Sequence, residues 1–209
     1  HTRWATHGAP SEANAHPHMT EDVSVVHNGL IENFRDLKEE LQKSGADFTS
    51  DTDTEVIAHL ISREMKSGSD PVRATFNTLK RLQGAFAIAM IFRGYDDLMI
   101  VARQGSPLAI GIGKGEMFVG SDAIALAPFT DEIVYLEDGD WAVLTRAGIA
   151  IRDRDGNAVE RPASRSQANA LLVDKGNHRH FMAKEMHEQP EVVGHTLAAY
   201  VDLATSAVE

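Results

Sequence analysis

The spacing of apolar positions changes along the chain, and the changes predict its elements. Residues 1–18 show no apolar period; they are rich in His, Gly, Pro, Asn and Thr and read as loop with at most a short strand. Residues 23–27 form a β-branched run closed by Asn28-Gly29, a dipeptide that tolerates positive φ and signals a turn. Ile31, Phe34, Leu37 and Leu41 then recur at helical spacing, with Gly45 where a helix stop belongs. Residues 48–50 suit a short strand. Asp51-Thr52-Asp53-Thr54 supplies N-cap residues ahead of a second helix marked by Val56, Ile57, Leu60, Ile61 and Met65. Pro71 fits the first turn of a third helix, running to about Leu82.

From Gly84 the period shortens. Residues 85–92, 98–102, 108–112 and 117–119 read as strands divided by Gly, Asp or Pro, and 132–136, 141–145 and 149–152 continue the series. Connections this short imply antiparallel sheets, because a parallel crossover needs a dozen or more residues. Helices followed by a run of strands is the α+β pattern. Residues 157–177 are polar and read as the end of a sheet followed by a linker. Residues 181–186 and 191–208 look helical, in a tail too short to form a core of its own.

Composition narrows the function. Hydrophobic residues make up 43% and charged residues 24% of 209, an ordinary globular balance. The formal net charge of -11 repels a phosphate backbone and argues against a nucleic-acid partner. The longest apolar run, 85–92, falls far short of the roughly 20 residues of a membrane helix, and no leader opens the chain, so a cytoplasmic protein is expected. There is no cysteine, hence no disulfide and no thiolate metal site.

Four clusters carry candidate chemistry. In His1-Thr2-Arg3-Trp4-Ala5-Thr6-His7-Gly8, Arg3 can clamp a carboxylate through paired hydrogen bonds; a plain polar loop is the alternative. In His27-Asn28-Gly29, a side-chain amide beside a glycine N–H can serve as an oxyanion hole, or the pair can simply turn a hairpin. In the segment 50–55, a carboxylate at a helix start can hold an ammonium group, or the residues can cap a helix. His16-Pro17-His18 and His178-Arg179-His180 invite a zinc reading, but neither pair has helical i, i+4 spacing and no H-E-x-x-H accompanies them, so no metal is expected. Gly111, Gly113 and Gly115 lack the βαβ setting of a nucleotide loop.

Together these motifs resemble one family. H-T-R-W-A-T-H-G with N-A-H-P-H after it, V-V-H-N-G-L-I-E-N at 25–33 and S-D-T-D-T-E-V-I-A-H-L at 50–60 are similar to the glutaminase domain of the glutamine–fructose-6-phosphate aminotransferases, which are class II glutamine amidotransferases. Gly105-Ser106-Pro107-Leu108, Ser121-Asp122 and Tyr135-Leu136-Glu137-Asp138-Gly139-Asp140 continue the likeness. The stretch from His180 to Pro190 resembles the entry to that family's sugar isomerase domain.

The resemblance implies an N-terminal-nucleophile hydrolase fold, two antiparallel sheets between layers of helices. It implies that Arg3 binds the α-carboxylate of glutamine and Asp53 its α-amino group. Thr6, His7 and Gly29 complete the substrate site, and Trp4 gates the passage of ammonia. The Asn28 side chain and the Gly29 N–H form the oxyanion hole. No cofactor is implied; the partners are L-glutamine, fructose 6-phosphate at a separate site, and a second copy in a homodimer. The implied domains are a glutaminase domain at 1–170, a linker at 171–178 and the opening helices of an isomerase domain at 179–209. The family's nucleophile is an N-terminal cysteine, which this sequence does not contain. The expectation is a fragment that lacks the nucleophile segment and the sugar site, is inactive alone and, with sheet edges left open, prone to aggregate. A non-catalytic glutamine-binding module is the alternative.

Overall fold

The computed structural model describes residues 7–166, 176–202 and 207–208. The chain divides into two compact units, His1–Ala168 and Asn169–Glu209. Arg3, Trp4 and Thr6 lie outside the described residues.

The first unit begins with β1 (His18–Met19) and β2 (Val23–Ile31), followed by α1 (Phe34–Lys43), α2 (Glu55–Lys66) and α3 (Pro71–Leu79). Then come β3 (Gly84–Phe92), β4 (Met99–Gln104), β5 (Ala109–Ile112), β6 (Met117–Gly120), α4 (Ala123–Leu126), β7 (Glu132–Tyr135), β8 (Trp141–Thr145), β9 (Gly148–Arg152) and β10 (Ala163–Arg165). The strands form a six-stranded sheet, order β1-β2-β3-β4-β8-β9, and a four-stranded sheet, order β10-β7-β5-β6. Every pairing within them is antiparallel.

The alternation of side chains along each strand builds the layers. In β3, Phe86, Ile88, Met90 and Phe92 join Leu37 and Leu41 of α1, the buried face of α2 and Ala74 of α3 in one core. The intervening Ala87 meets Ile110 of β5 and Val134 of β7 in a second core between the sheets, with Val101, Ala142 and Leu144 beside it. Ala109 and Ile133 point to the far side of the small sheet, where Ala123 and Leu126 of α4 cover them. The order is helices, sheet, sheet, helix. β3 thus turns its large side chains to the helices and the small Ala87 and Ala89 to the facing sheet, whose Ile110 and Val134 fill the space.

Several expectations are corrected. Asn28-Gly29 turns no hairpin: β2 runs through it and pairs with β3 at every position from Val23↔Phe92 to Ile31↔Gly84. The apolar β3 offers an unbroken partner, and Gly29 and Gly84, with φ of +139° and +118°, let the pair come close at this end. A Cβ on Gly29 would sit 2.1 Å from the Ala85 carbonyl oxygen, and one on Gly84 2.2 Å from that of Leu30. Residues 48–50 form no strand, because their backbone binds the Glu55 carboxylate instead. The third helix stops at Leu79, three residues early. The polar stretch after Asn157 holds a strand, β10, paired with β7.

In the second unit a single helix, α5 (Phe181–Tyr200), runs through Pro190, where two helices were expected. The chain leaves the helix after Tyr200, and β11 (Val201–Asp202) pairs with β12 (Ala207–Val208).

Candidate active site

The end of β2 presents two faces. His27 turns inward and is only 7% exposed, whereas Asn28 and Gly29 are open to solvent. Among the described residues, the Asn28 side chain makes no hydrogen bond, so its amide is available to a ligand. Ile31 returns to the core.

Residues 49–55 pack against that strand, and their polar side chains are buried. Asp53 is 3% exposed, and its Oδ2 accepts the backbone N–H of Ile31 at 2.8 Å. Thr54 Oγ1 lies 3.0 Å from His27 Nδ1 and 3.3 Å from His16 Nε2. Neither residue caps α2: Thr54 has helical φ and ψ and makes no side-chain cap bond. The cap reading of 50–55 gives way to one of cross-links, because buried polar groups take whatever partners the packing supplies.

Glu55 fixes this segment. Its carboxylate accepts from the N–H of Thr49 (2.9 Å), the hydroxyl of Thr49 (3.0 Å), the N–H of Ser50 (2.8 Å) and the hydroxyl of Ser50 (2.6 Å), with His59 Nε2 3.6 Å away. Its pKa lies far below the ordinary carboxylate range: burial opposes the charge, and the neighbouring His59 ring with the hydrogen bonds from Ser50 and Thr49 overcomes it. The charge sets a direction for the chain of bonds behind it. Ser50 gives its proton to Glu55, so Thr52, 3.0 Å from Ser50 Oγ, donates to Ser50. Thr52 Oγ1 is then left to accept from His18 Nε2, at 3.0 Å.

The loop that carries His7 docks on the same segment. Asn14 is 4% exposed; its Oδ1 accepts from the Asp51 N–H at 2.9 Å and its Nδ2 donates to the Ala9 carbonyl at 3.0 Å. Gly8 makes room, since a Cβ there would meet Asn14 Nδ2 at 2.6 Å. The His7 ring stands edge-on to Phe34, 4.8 Å between centroids. Burial lowers the His27 pKa; the Asp53 carboxylate pulls it the other way, and His18 adds to the fall.

Of the expected site residues, the structure brings Asn28, Gly29 and Asp53 together and ties the His7 loop to the segment of Asp53. Asn14, Thr54 and Glu55 were not foreseen in these roles. For Thr54 and Glu55 the only sequence signal is the density of polar residues at the start of an apolar helix; Asn14 lies in the N-A-H-P-H stretch. His16 and His18 bond to threonines, and His178 stacks near His187 with centroids 5.0 Å apart. Among the described residues no group of three or more His, Asp or Glu could hold a metal ion, and no helix is long and apolar enough to cross a membrane. Gly113 and Gly115 lie in the link between β5 and β6, with no helix start to cradle a phosphate.

A cavity of about 450 Å³ opens between α3, the start of β3, β4 and the segment before β8; its lining contains neither Asn28 nor Asp53 but includes Gly84 and Phe86, the β3 partners of Ile31 and Gly29. Three of its charged residues are engaged within the protein: Arg103 with the Ser106 and Leu136 carbonyls, Asp140 with Arg161, and Arg154 with Gln104.

Two antiparallel sheets face to face between helical layers, with an open Asn-Gly step beside a buried aspartate, define an N-terminal-nucleophile hydrolase fold of the glutamine amidotransferase class. Residues 1–128 match the glutamine amidotransferase domain, and the chain belongs to that family. It is 62% identical over 208 residues to a glutamine–fructose-6-phosphate aminotransferase (isomerizing) of Bradyrhizobium diazoefficiens, and 61% identical to one of Brucella suis. All of this chain is matched in both cases, but it spans only 34% of each relative's length. Among solved structures it resembles glutamine phosphoribosylpyrophosphate amidotransferase from B. subtilis, with TM-score 0.64, 29% identity, and 76% of this chain and 35% of that one covered.

Proposed function

We propose that this chain supplies the glutaminase half of an enzyme that releases ammonia from glutamine and passes it to fructose 6-phosphate, forming glucosamine 6-phosphate. The observation that carries this reading is the open Asn28-Gly29 step, held within three residues of a buried carboxylate by the Asp53–Ile31 bond. Amide hydrolysis passes through a tetrahedral oxyanion, which fixed donors stabilise; the Asn28 amide and the Gly29 N–H take that role. Zwitterionic glutamine needs an anion for its ammonium and a cation for its carboxylate. Asp53 retains lone pairs beyond the one given to Ile31, and Arg3 provides the positive partner. Thr6 and His7 complete the substrate site, and Trp4 gates the ammonia path.

The sequence contains no cysteine, so the attacking thiol of this chemistry comes from outside these 209 residues, and they are expected to release no ammonia alone. Residues 179–209 open a sugar isomerase domain in the same proposal.

The test is glutamate release by the intact protein its gene encodes. Asn28→Ala should lower kcat by about 10²–10³, as loss of one oxyanion donor does elsewhere, with the glutamine KM little changed. Because Asn28 is exposed and unbonded, its melting temperature should not move. Wild-type kcat in Asn28→Ala would refute the assignment.

A further inference from the structure

Two adjacent residues grip β2 on either side of Asn28-Gly29. Asp53 accepts from the N–H of Ile31, and Thr54 Oγ1 bonds the ring of His27. Between these anchors lie Asn28, Gly29 and Leu30 alone, and Gly29 departs from ordinary strand geometry at φ +139°. Asn28 and Gly29 face solvent, so beyond the ladder to β3 their place relative to Asp53 depends on the two anchors. The Thr54 hydroxyl is buried, at 3% exposure, and is not spent on the helix it precedes. It also meets His16, whose loop carries His7, at 3.3 Å. One hydroxyl thus joins the three pieces of chain on which the proposed substrate residues stand.

We propose that Thr54 is a positioning residue for the oxyanion site: acting through His27, its hydroxyl sets where the Asn28 amide and the Gly29 N–H stand relative to Asp53. This inference rests on the glutaminase reading above. Oxyanion donors matter most when charge has developed, so a shift in them acts on the transition state more than on bound glutamine. The signature is a fall in kcat without a matching rise in KM.

The experiment uses the intact protein and measures glutamate release against glutamine concentration. Thr54→Val keeps the shape of the side chain and removes the hydroxyl. It should lower kcat by about tenfold to a hundredfold, the cost of a misplaced group, and leave KM within about twofold. Thr54→Ser, which restores the hydroxyl, should bring back most of the kcat. In an Asn28→Ala background, Thr54→Val should cost a smaller factor than in the wild type, because one of the two donors it positions is already gone. The inference is overturned by a Thr54→Val enzyme with normal kcat, by an effect on KM alone, or by the same factor in both backgrounds. If Thr54→Val does not fold, His27→Leu against His27→Asn, which keeps a polar group near Nδ1, replaces the pair with the same expected order of kcat. Wild-type protein that releases no glutamate defeats the glutaminase reading itself, an outcome separate from normal activity in the variant.

Discussion

Replacing Glu55 by glutamine tests whether the segment carrying Asp53 and Thr54 is held by one buried charge. The carboxylate accepts two hydrogen bonds on each oxygen, one from a backbone N–H and one from a hydroxyl. A glutamine amide must turn its NH2 toward one of these pairs. Turning it to Ser50 reverses the Ser50 hydroxyl and breaks the run of bonds through Thr52 to His18, so the structure favours turning it to Thr49. There the hydroxyl can reorient, but the N–H loses its acceptor. Thr49 is partly accessible to water, which holds the cost to about 2 kcal/mol, within the range for an orphaned donor. For a unit of this size that lowers the melting temperature by about 4–8 °C at pH 7.

The pH dependence supplies the sharper check. Glu55 stays ionised in the fold well below its ordinary 4.5, so its contribution is present above the unfolded pKa and is lost as pH falls toward the folded one. Glutamine has no such dependence. The gap between the two proteins should stay constant above about pH 5. Below 4.5 it should shrink by about 1.4 kcal/mol per pH unit and close near pH 3. Thermal melts followed by circular dichroism from pH 7 to pH 3 measure this. Coincident melts at pH 7, or a gap unchanged at pH 3, would refute the account.

Two further outcomes follow from the same reasoning. Gly29→Ala should cost about 3 kcal/mol or more and yield little folded protein, since its Cβ would overlap the Ala85 carbonyl; Gly45→Ala, at φ +93° with open space around it, should cost only about 1 kcal/mol in a urea titration. Glu40→Gln should change stability by less than about 1 kcal/mol although Arg63 and Arg81 both bond that carboxylate, at 2.8 and 2.5 Å, because the group is half exposed; a larger fall in the urea midpoint energy would contradict this.

The fold was legible wherever side-chain period decides. β3 through β9 follow the apolar pattern to within a residue or two, because both sheets lie between apolar layers and each strand must present apolar residues to one. β10 was not legible: all three of its residues are exposed, so only its backbone pairing with β7 makes it a strand. The Asn-Gly step failed differently. Turn preference is a local property, whereas the apolar strand that holds β2 straight through that step begins more than 50 residues later.

The site shows the same division at higher stakes. Asn28 and Gly29 are legible as a pair of donors and Asp53 through the family's motif, but what Asp53 and Thr54 do in the fold is not, because the residue types that cap helices are the types that can bond to anything. Asp53 reaches 22 residues back to Ile31, and Thr54 reaches 27 residues back to His27 and 38 to His16. Once α2 buries its first turn against β2, an unbonded hydroxyl or carboxylate there would cost more than a cap contributes. The packing therefore decides the partners. A run of cap-type residues ahead of a helix whose first turn is itself buried is better read as a set of long-range cross-links awaiting partners than as a cap.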